Sequence, residues 1–346
     1  MSKTRVDHFS VAGVSTCVPP RVFDNLERAK DFGDTEVRKV VAMAGVRCRR
    51  IVEPGVTSTD LSFEAAAALL DKLGWERGSI SGLIMVTQSP DYFLPSSSCM
   101  AHKWLGLSTD CAAFDVGLGC SSYPYGLYLA ATMLHTGGQR RVLLLNGETP
   151  SLFTDPDDHA TTLLFGDAGS ATAIELGDQG APAFFCLHTD GAGYDGLIVR
   201  GGAYRQRAPA DSRDNFLRMD GAAVFNFTIK RVPALIHDTL VFAGLATLDI
   251  ETYLFHQSNQ FMMKHLIKKA ELPIERVPFI LDRFGNCGGP SVPLALTQGR
   301  AAAPAPQGRV MALGYGVGLS WGSAVFNLAP NAPLLHSEYS GGVLRS

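Results

Sequence analysis

The stretch Asp115-Val116-Gly117-Leu118-Gly119-Cys120 runs directly into Ser121-Ser122-Tyr123-Pro124-Tyr125-Gly126-Leu127-Tyr128-Leu129-Ala130-Ala131. The first part reads as the end of a short strand. The second part predicts a helix with Pro124 in its first turn, where the missing N–H costs nothing. This helix is apolar on every side up to the stop predicted at Gly137-Gly138, so we expect it to be buried at the centre of the molecule. Its N-terminus favours the thiolate of Cys120 through the helix dipole.

Strand-like and helical segments alternate on both sides of this stretch. The predicted strands cover residues 82–87, 113–116, 141–146, 170–176 and 252–255, and the predicted helices cover 61–70, 99–105, 222–242 and 260–270. This alternation indicates an α/β fold. The strands are continuous apolar runs rather than alternating ones, which is typical of sheets covered on both faces.

A short internal repeat in the sequence suggests two similar halves. Residues 166–174 and 318–326 each run from a glycine-rich loop through Gly-Ser-Ala into a strand. We therefore predict an N-terminal half, 1–177, that carries the cysteine and a C-terminal half, 178–346. Residues 190–196 and 201–215 are predicted surface excursions, and the tail from 329 onward is predicted to be peripheral.

Two polar residues of the second half complete the candidate chemistry. His256 lies in Leu254-Phe255-His256-Gln257-Ser258-Asn259, and Asn286 lies in Arg283-Phe284-Gly285-Asn286-Cys287-Gly288-Gly289. Taken singly, each of the three has a structural interpretation: a core cysteine, a histidine after an apolar strand, and an asparagine chosen for turn geometry. Together, a thiol, an imidazole and an amide suit acyl transfer through a thioester. The Nε2–H of His256 and the Nδ2–H of Asn286 can stabilise the enolate formed when a malonyl thioester loses carbon dioxide.

The last glycine-rich segment, 314–322, brings backbone N–H groups within reach of a ligand. With the amide of Cys120, it can hold the oxyanion of an acyl-transfer intermediate. The alternative interpretation is a simple tight loop.

Composition excludes several classes of protein. The chain has 346 residues, of which 46% are hydrophobic and 18% charged, with a net charge of -3. The scattered basic residues form no stripe that would indicate nucleic-acid binding. No apolar run approaches the roughly 20 residues of a membrane span, and no signal peptide is recognisable. Seven cysteines without paired spacing indicate free thiols and a cytoplasmic location.

The sequence resembles the ketoacyl-ACP synthase III family of condensing enzymes over about residues 8 to 328. The motifs that carry the resemblance are Gly45-Val46-Arg47, Leu94-Pro95-Ser96-Ser97, the Cys120 segment, Phe165-Gly166-Asp167-Ala168-Gly169, Met219-Asp220-Gly221, His256-Gln257-Ser258-Asn259, Leu281-Asp282-Arg283-Phe284-Gly285-Asn286 and 316–322. The resemblance implies a thiolase-like, five-layered αβαβα homodimer without a metal or redox cofactor. It implies acyl-CoA or acyl carrier protein as partners, with the acyl group carried on Cys120.

The resemblance also implies individual roles. His256 and Asn286 would drive decarboxylative condensation with a malonyl thioester, and the backbone at Val317 and Gly318 would complete the oxyanion hole. Leu94 and Asn259 would contact substrate.

The departures from the family pattern lie in substrate recognition. Lys39, Met43 and His159 stand where the family holds the adenine of CoA with tryptophan and arginine. Phe261 replaces a basic carrier-docking residue, and Leu94 replaces the commoner phenylalanine. These changes favour a specialised member from a secondary-metabolite or polyketide pathway.

Three alternatives remain open. An acyltransferase acting on a hydroxyl or amine would need a base beside His256, and family relatives of this kind tend to replace the asparagine. A thiolase would need a second cysteine in the last glycine-rich turn, and 315–321 contains none. A non-catalytic partner subunit would be expected to lose the nucleophile.

Overall fold

The computed structural model describes residues 2–136, 138–177, 181–299 and 306–341. The strands among these residues are β1 Ser2–Val6, β2 Phe9–Val18, β3 Val22–Asp24, β4 Cys48–Arg50, β5 Gly82–Val86, β6 Ala112–Val116, β7 Arg141–Glu148, β8 Ala168–Leu176, β9 Ala183–Thr189, β10 Leu197–Ile198, β11 Arg218–Met219, β12 Ile250–Phe255, β13 Arg309–Gly316, β14 Ser320–Asn327 and β15 Leu334–Glu338. The helices are α1 Ala29–Phe32, α2 Asp34–Ala44, α3 Ser58–Leu73, α4 Ser97–Leu105, α5 Ser122–Thr136, α6 His159–Thr162, α7 Gly221–Ala243, α8 Gln260–Lys269, α9 Leu281–Phe284 and α10 Ser291–Gln298.

Two large mixed sheets form the body of the molecule. One has the order β15-β2-β8-β7-β5-β6 and the other β1-β9-β14-β13-β12. Helices α5 and α10 lie between the sheets, α3 and α4 cover the outer face of the first, and α7, with α8 beside it, covers the second. These layers confirm the predicted thiolase-like αβαβα fold.

The central helix forms as the sequence predicts. Tyr123, Leu127, Ala130 and Ala131 of α5 are fully buried in the core between the sheets. The stop predicted at Gly137-Gly138 includes Gly137, which lies outside the described residues. The predicted strands and helices around α5 also form, most of them a few residues longer than predicted.

The two sheets repeat one pattern. In the first, β5 is parallel to β7, which is antiparallel to β8, which is antiparallel to β2. In the second, β12, β13, β14 and β9 repeat these relations in the same order. The two strands that share the Gly-Ser-Ala repeat, β8 and β14, therefore occupy equivalent positions in their sheets. The join at 177/178 stays a prediction, because residues 178–180 lie outside the described part.

The terminal strands cross between the halves. β1, from the first half, pairs with β9 in the second sheet, and β15, from the second half, pairs with β2 in the first. The prediction of a peripheral tail is therefore wrong for residues 334–338. Their mixed apolar and polar composition reflects a half-buried edge strand rather than a loop.

Candidate active site

Cys120 lies in the turn between β6 and α5, two residues before the helix begins. It is partly exposed, whereas Ser121, Ser122 and Tyr123 beside it are fully buried. The end of β13 presses against it: a Cβ added to Gly316 would lie 2.8 Å from the Cys120 sulfur. Only glycine leaves room for the thiol here, and its φ of 151° also disfavours other residues.

Two opposing effects act on the Cys120 thiol. Burial raises its pKa to about 11, the backbone N–H of Val317 lowers it, and the charge of Glu148 raises it. The dipole of α5 favours the thiolate, as predicted from the sequence. Desolvation is the stronger effect in the resting site, so Cys120 rests there as a thiol.

His256 follows β12 and is held by backbone on both sides. Its own N–H donates to Leu313 O of β13 at 2.7 Å. Its Nδ1 lies 3.0 Å from Gly288 O and 3.0 Å from Ser291 Oγ. Burial lowers the pKa of His256 to about 4, so the ring is neutral at neutral pH.

Two proton arrangements satisfy the contacts of His256. A carbonyl can only accept, so a hydrogen bond to Gly288 O places the proton on Nδ1 and leaves Nε2 as a base. Alternatively, the Ser291 hydroxyl donates to Nδ1, and the proton is then on Nε2. The same hydroxyl lies 2.5 Å from Gly288 O, so the carbonyl and the imidazole compete for it.

Asn286 is held in one orientation by the turn that follows it. Its Oδ1 accepts from Gly288 N at 2.9 Å, and its Nδ2 donates to Ser258 O at 3.3 Å. Its backbone bonds to Leu164 O and Gly166 N. The amide nitrogen has two N–H groups, and Ser258 O uses one, which leaves a second for a ligand.

The turn between β13 and β14 lies beside the nucleophile. Ser320 Oγ donates to Val317 O at 2.8 Å and lies 2.6 Å from Ser121 Oγ, which follows Cys120. Val317 also packs over Gly119, where an added Cβ would lie 2.8 Å from its side chain. The structure thus places Val317 at Cys120, where the sequence predicts an oxyanion hole, while the adjoining Gly318 packs against Ser320.

Gly288 and Gly289 lie between the segments that carry the three catalytic candidates. Gly288 supplies the carbonyl that contacts His256 and the N–H that orients Asn286. A Cβ at the next residue, Gly289, would lie 2.8 Å from Gly119 O, one residue before Cys120. The segments that carry the cysteine, the histidine and the asparagine therefore meet at one place. A nucleophilic thiol, a neutral imidazole and an oriented amide there can form a thioester and stabilise an enolate.

Two residues that were predicted to contact substrate lie in a different environment from the catalytic candidates. Leu94 is 77% exposed, on a loop that also exposes Tyr92 and Phe93, so this chain does not bring it into the site. The side-chain oxygen of Asn259 caps α8 by accepting from Met262 N at 2.7 Å.

Among the positions predicted to lack an adenine platform, His159 differs from Lys39 and Met43 in its surroundings. Lys39 and Met43 are exposed on α2 and form no ring contact among the described residues. However, the ring of His159 lies 6.0 Å from that of Phe32, and the guanidinium of Arg28 lies 4.9 Å from the same ring. An aromatic and cationic cluster is therefore present, built from residues that sequence comparison did not pair. Phe261 is exposed and stacks on Phe225 at 5.9 Å.

One buried group at the site was missed. Glu148 ends β7, and its charge acts on Cys120. The available signal was a carboxylate at the end of an otherwise apolar strand.

No cluster of three metal-ligating side chains occurs within residues 2–136, 138–177, 181–299 and 306–341. Over the same ranges, each helix is too short or too polar to cross a bilayer.

Comparison with known proteins agrees with this geometry. The family model for 3-oxoacyl-[acyl-carrier-protein (ACP)] synthase III matches residues 114–191, and the model for its C-terminal part matches residues 240–328. A Campylobacter jejuni protein, named provisionally as 3-oxoacyl-[acyl-carrier-protein] synthase 3, is 33% identical over 94% of this chain and 95% of its own length.

Solved structures extend the likeness to the whole fold. The 3-oxoacyl-(acyl-carrier protein) synthase of Burkholderia xenovorans LB400 has a TM-score of 0.92 and 39% identity, covering 97% of this chain and 99% of its own. The priming β-ketosynthase of the R1128 polyketide pathway has a TM-score of 0.84 and 26% identity, covering 94% and 98%. The chain belongs to the 3-oxoacyl-ACP synthase III family of acyl-transferring condensing enzymes.

Proposed function

We propose that this enzyme makes a β-ketoacyl thioester in two half-reactions at Cys120. In the first, the Cys120 sulfur attacks the carbonyl of an acyl thioester, and the CoA or carrier thiol leaves with the proton. The N–H groups of Cys120 and Val317 hold the oxyanion of the intermediate. In the second, a malonyl thioester loses carbon dioxide, and the resulting enolate carbon attacks the acyl group. The bond to sulfur breaks, the sulfur leaves as a thiolate, and a proton from solvent regenerates the Cys120 thiol.

The orientation of Asn286 carries this proposal. Gly288 N–H fixes the amide oxygen, so the nitrogen presents a donor beside the turn that also holds His256. A donor pair suits the developing negative charge of an enolate. Transfer of the acyl group to a hydroxyl or amine instead needs a base. The His256 arrangement with its proton on Nδ1 supplies one, which makes that transfer the second candidate.

The substitution Asn286→Asp separates the two candidates. A carboxylate would repel the enolate charge and remove the donor, so release of carbon dioxide from a malonyl donor should fall by about 10²–10³-fold. The rate of Cys120 acylation, measured by peptide mass mapping, should be largely unchanged. Unchanged decarboxylation would favour the simple acyltransferase, and an acyl mass on Cys111 or Cys287 would refute the assignment of the nucleophile.

The acyl donor is proposed to be specialised rather than acetyl-CoA. Phe261 and Leu94 depart from the family pattern, and the likeness to a priming polyketide ketosynthase points the same way. The cluster of Arg28, Phe32 and His159 nevertheless offers CoA an aromatic and cationic surface, so acyl-CoA and acyl carrier protein are both candidate donors.

The expected result is faster acylation of Cys120 by longer or branched acyl groups than by acetyl-CoA. Intact-protein mass spectrometry over a panel of acyl-CoA and acyl-ACP donors measures this. If acetyl-CoA is the fastest donor of all, the enzyme is an ordinary initiator of fatty-acid synthesis.

We further propose a homodimer, a cytoplasmic location and a reaction without metal or redox cofactor. Two observations support the dimer: β6 is the outer strand of its sheet, and the segment that follows the exposed Leu94 is tied to β6 by the bond from Ser97 N–H to Asp115. In a dimer, Leu94 would reach the partner's acyl site. Free thiols support the location.

A further inference from the structure

A buried carboxyl group lies at the end of β7, outside the catalytic trio. Glu148 is only 3% exposed. Its Oε1 accepts from Gln88 N at 2.9 Å, and its Oε2 lies 3.0 Å from Ser89 Oγ. No lysine or arginine within the described ranges forms an ion pair with it. Burying a charged carboxylate without a cationic partner costs free energy, which favours the neutral form of this group.

Two segments of the site contact Glu148, and one of them also reaches the segment of the nucleophile. A Cβ added to Gly288 would lie 3.0 Å from Glu148 Cγ, so the glutamate packs against the turn that holds His256 and Asn286. The loop after β5 is tied to it through Gln88, whose side-chain oxygen in turn packs against Gly119 beside the nucleophile. Glu148 therefore lies between the turn that holds His256 and Asn286 and the loop that packs beside Cys120.

The charges around Glu148 favour its neutral form. Burial raises its pKa to about 8 against two hydrogen bonds that lower it, and Asp167 raises it further. The titratable groups around it are Asp167, Cys120 and, across Gly288, the neutral His256. None of these supplies a positive charge at neutral pH.

The hydrogen-bond network can accommodate the proton of a neutral acid. The carboxyl O–H then donates to Ser89 Oγ, which also accepts from Thr149 N at 3.0 Å. The Ser89 proton turns to Thr87 Oγ1, 3.2 Å away. Every member keeps a partner in this arrangement.

We propose that Glu148 is a positioning residue: as a neutral acid it joins the Gln88 loop to the Gly288 turn, and its ionisation opposes formation of the Cys120 thiolate. The catalytic part of this inference rests on the proposed function. The electrostatic part does not, because ionisation of the thiol can be measured without any substrate.

The test measures the rate at which iodoacetamide alkylates Cys120 as a function of pH. Peptide mass mapping distinguishes Cys120 from the other cysteines. The isosteric Glu148→Gln keeps an acceptor for Gln88 N–H and a donor for Ser89 Oγ but never ionises. Its alkylation rate should match that of the native protein below about pH 7 and exceed it increasingly above about pH 8, reaching about tenfold. Glu175→Gln is the matched control, since Glu175 pairs with Arg141 at the other end of β7 and β8 and should follow the native profile.

Superimposable profiles for the native protein and Glu148→Gln would overturn the electrostatic coupling. If the alkylation rates of the two proteins differ by the same factor at every pH, Glu148 is ionised throughout. That result would refute the proposal that Glu148 is a neutral acid. For the positioning role, Glu148→Ala should lower kcat for carbon dioxide release at least about tenfold with little change in KM, and Glu148→Gln should restore most of it. Equal losses in both variants would refute positioning. A native enzyme that alkylates as described but never releases carbon dioxide would refute only the proposed function.

Discussion

Ser291 decides which nitrogen of His256 carries the proton. Its hydroxyl can donate to the imidazole Nδ1 or to Gly288 O, and both atoms are within hydrogen-bond distance. Only the first choice puts a proton on Nε2, the donor that condensation requires. The sequence predicts the Nε2–H form, since no local pattern reveals the competing carbonyl, which comes from a turn 32 residues away.

Ser291→Ala is therefore expected to lock the proton on Nδ1, bonded to Gly288 O. Decarboxylation of a malonyl thioester should fall by about 10²-fold, since one enolate donor is lost. Acylation of Cys120 should persist, and the two rates can be measured separately by carbon dioxide release and peptide mapping. Ser212→Ala, on an exposed turn, is the control. A normal rate of decarboxylation in Ser291→Ala would mean that Nε2–H does not need the serine.

The meeting of Cys120, His256 and Asn286 at one site could be anticipated because each residue follows a recognisable local pattern. Cys120 stands between a strand and an apolar helix, His256 directly follows an apolar strand, and Asn286 begins a glycine-rich turn. Glu148 and the proton on His256 could not, because they depend on contacts between segments distant in sequence. The cluster of Phe32 and His159 was missed for the same reason.

At the scale of elements, the turn after β13 is shaped around the thiol. Gly316→Ala would put a methyl carbon within 2.8 Å of the Cys120 sulfur and force an unfavourable φ. Acylation of Cys120 should fall at least about 10²-fold through displacement of the oxyanion-hole backbone. The rate of acylation by the best donor, with thermal unfolding in parallel, measures this effect.

Gly78→Ala serves as the matched control for that turn. An added Cβ at Gly78 meets nothing within 4 Å, and this glycine is not among those with positive φ. Its acylation rate should equal that of the native protein. An active Gly316→Ala enzyme would show that the close approach is not needed.

Strands that are continuous apolar runs were predictable, and the polar terminal strand β15 was not. β5, β7 and β8 are continuous apolar runs, because both faces of their sheet are covered. β15 contains His336, Ser337 and Glu338 and is only half-buried, so it has neither an apolar run nor a clear alternation. The assignment of β1 and β15 to opposite sheets depends on strand pairing that no local pattern encodes.

At the scale of the whole molecule, the loop of Leu94 predicts a dimer. Asp91 anchors this loop to Thr57, Thr59 and Ser97, while Tyr92 and Phe93 remain exposed. A rigidly held apolar loop beside an open strand edge suits a second copy. The mass in solution should be about twice 37.1 kDa by light scattering.

Leu94→Lys should shift that mass toward the monomer and slow acylation, because a charge would be buried in the interface. Leu248→Lys is the control, since Leu248 is 70% exposed and lies far along the chain on another turn. A native protein that is monomeric at micromolar concentration would contradict the dimer. A dimer unaffected by Leu94→Lys would contradict the role of this loop.

The crossing of the terminal strands has a consequence for synthesis on the ribosome. The backbone edge of β2, near the start of the chain, is completed only by β15, whose residues 334–338 are translated almost 320 residues later. Until then, the nascent first half exposes an unpaired strand edge, the kind of surface that chaperones protect and that aggregates otherwise. Closure of the first sheet therefore waits until residues 334–338 have been translated.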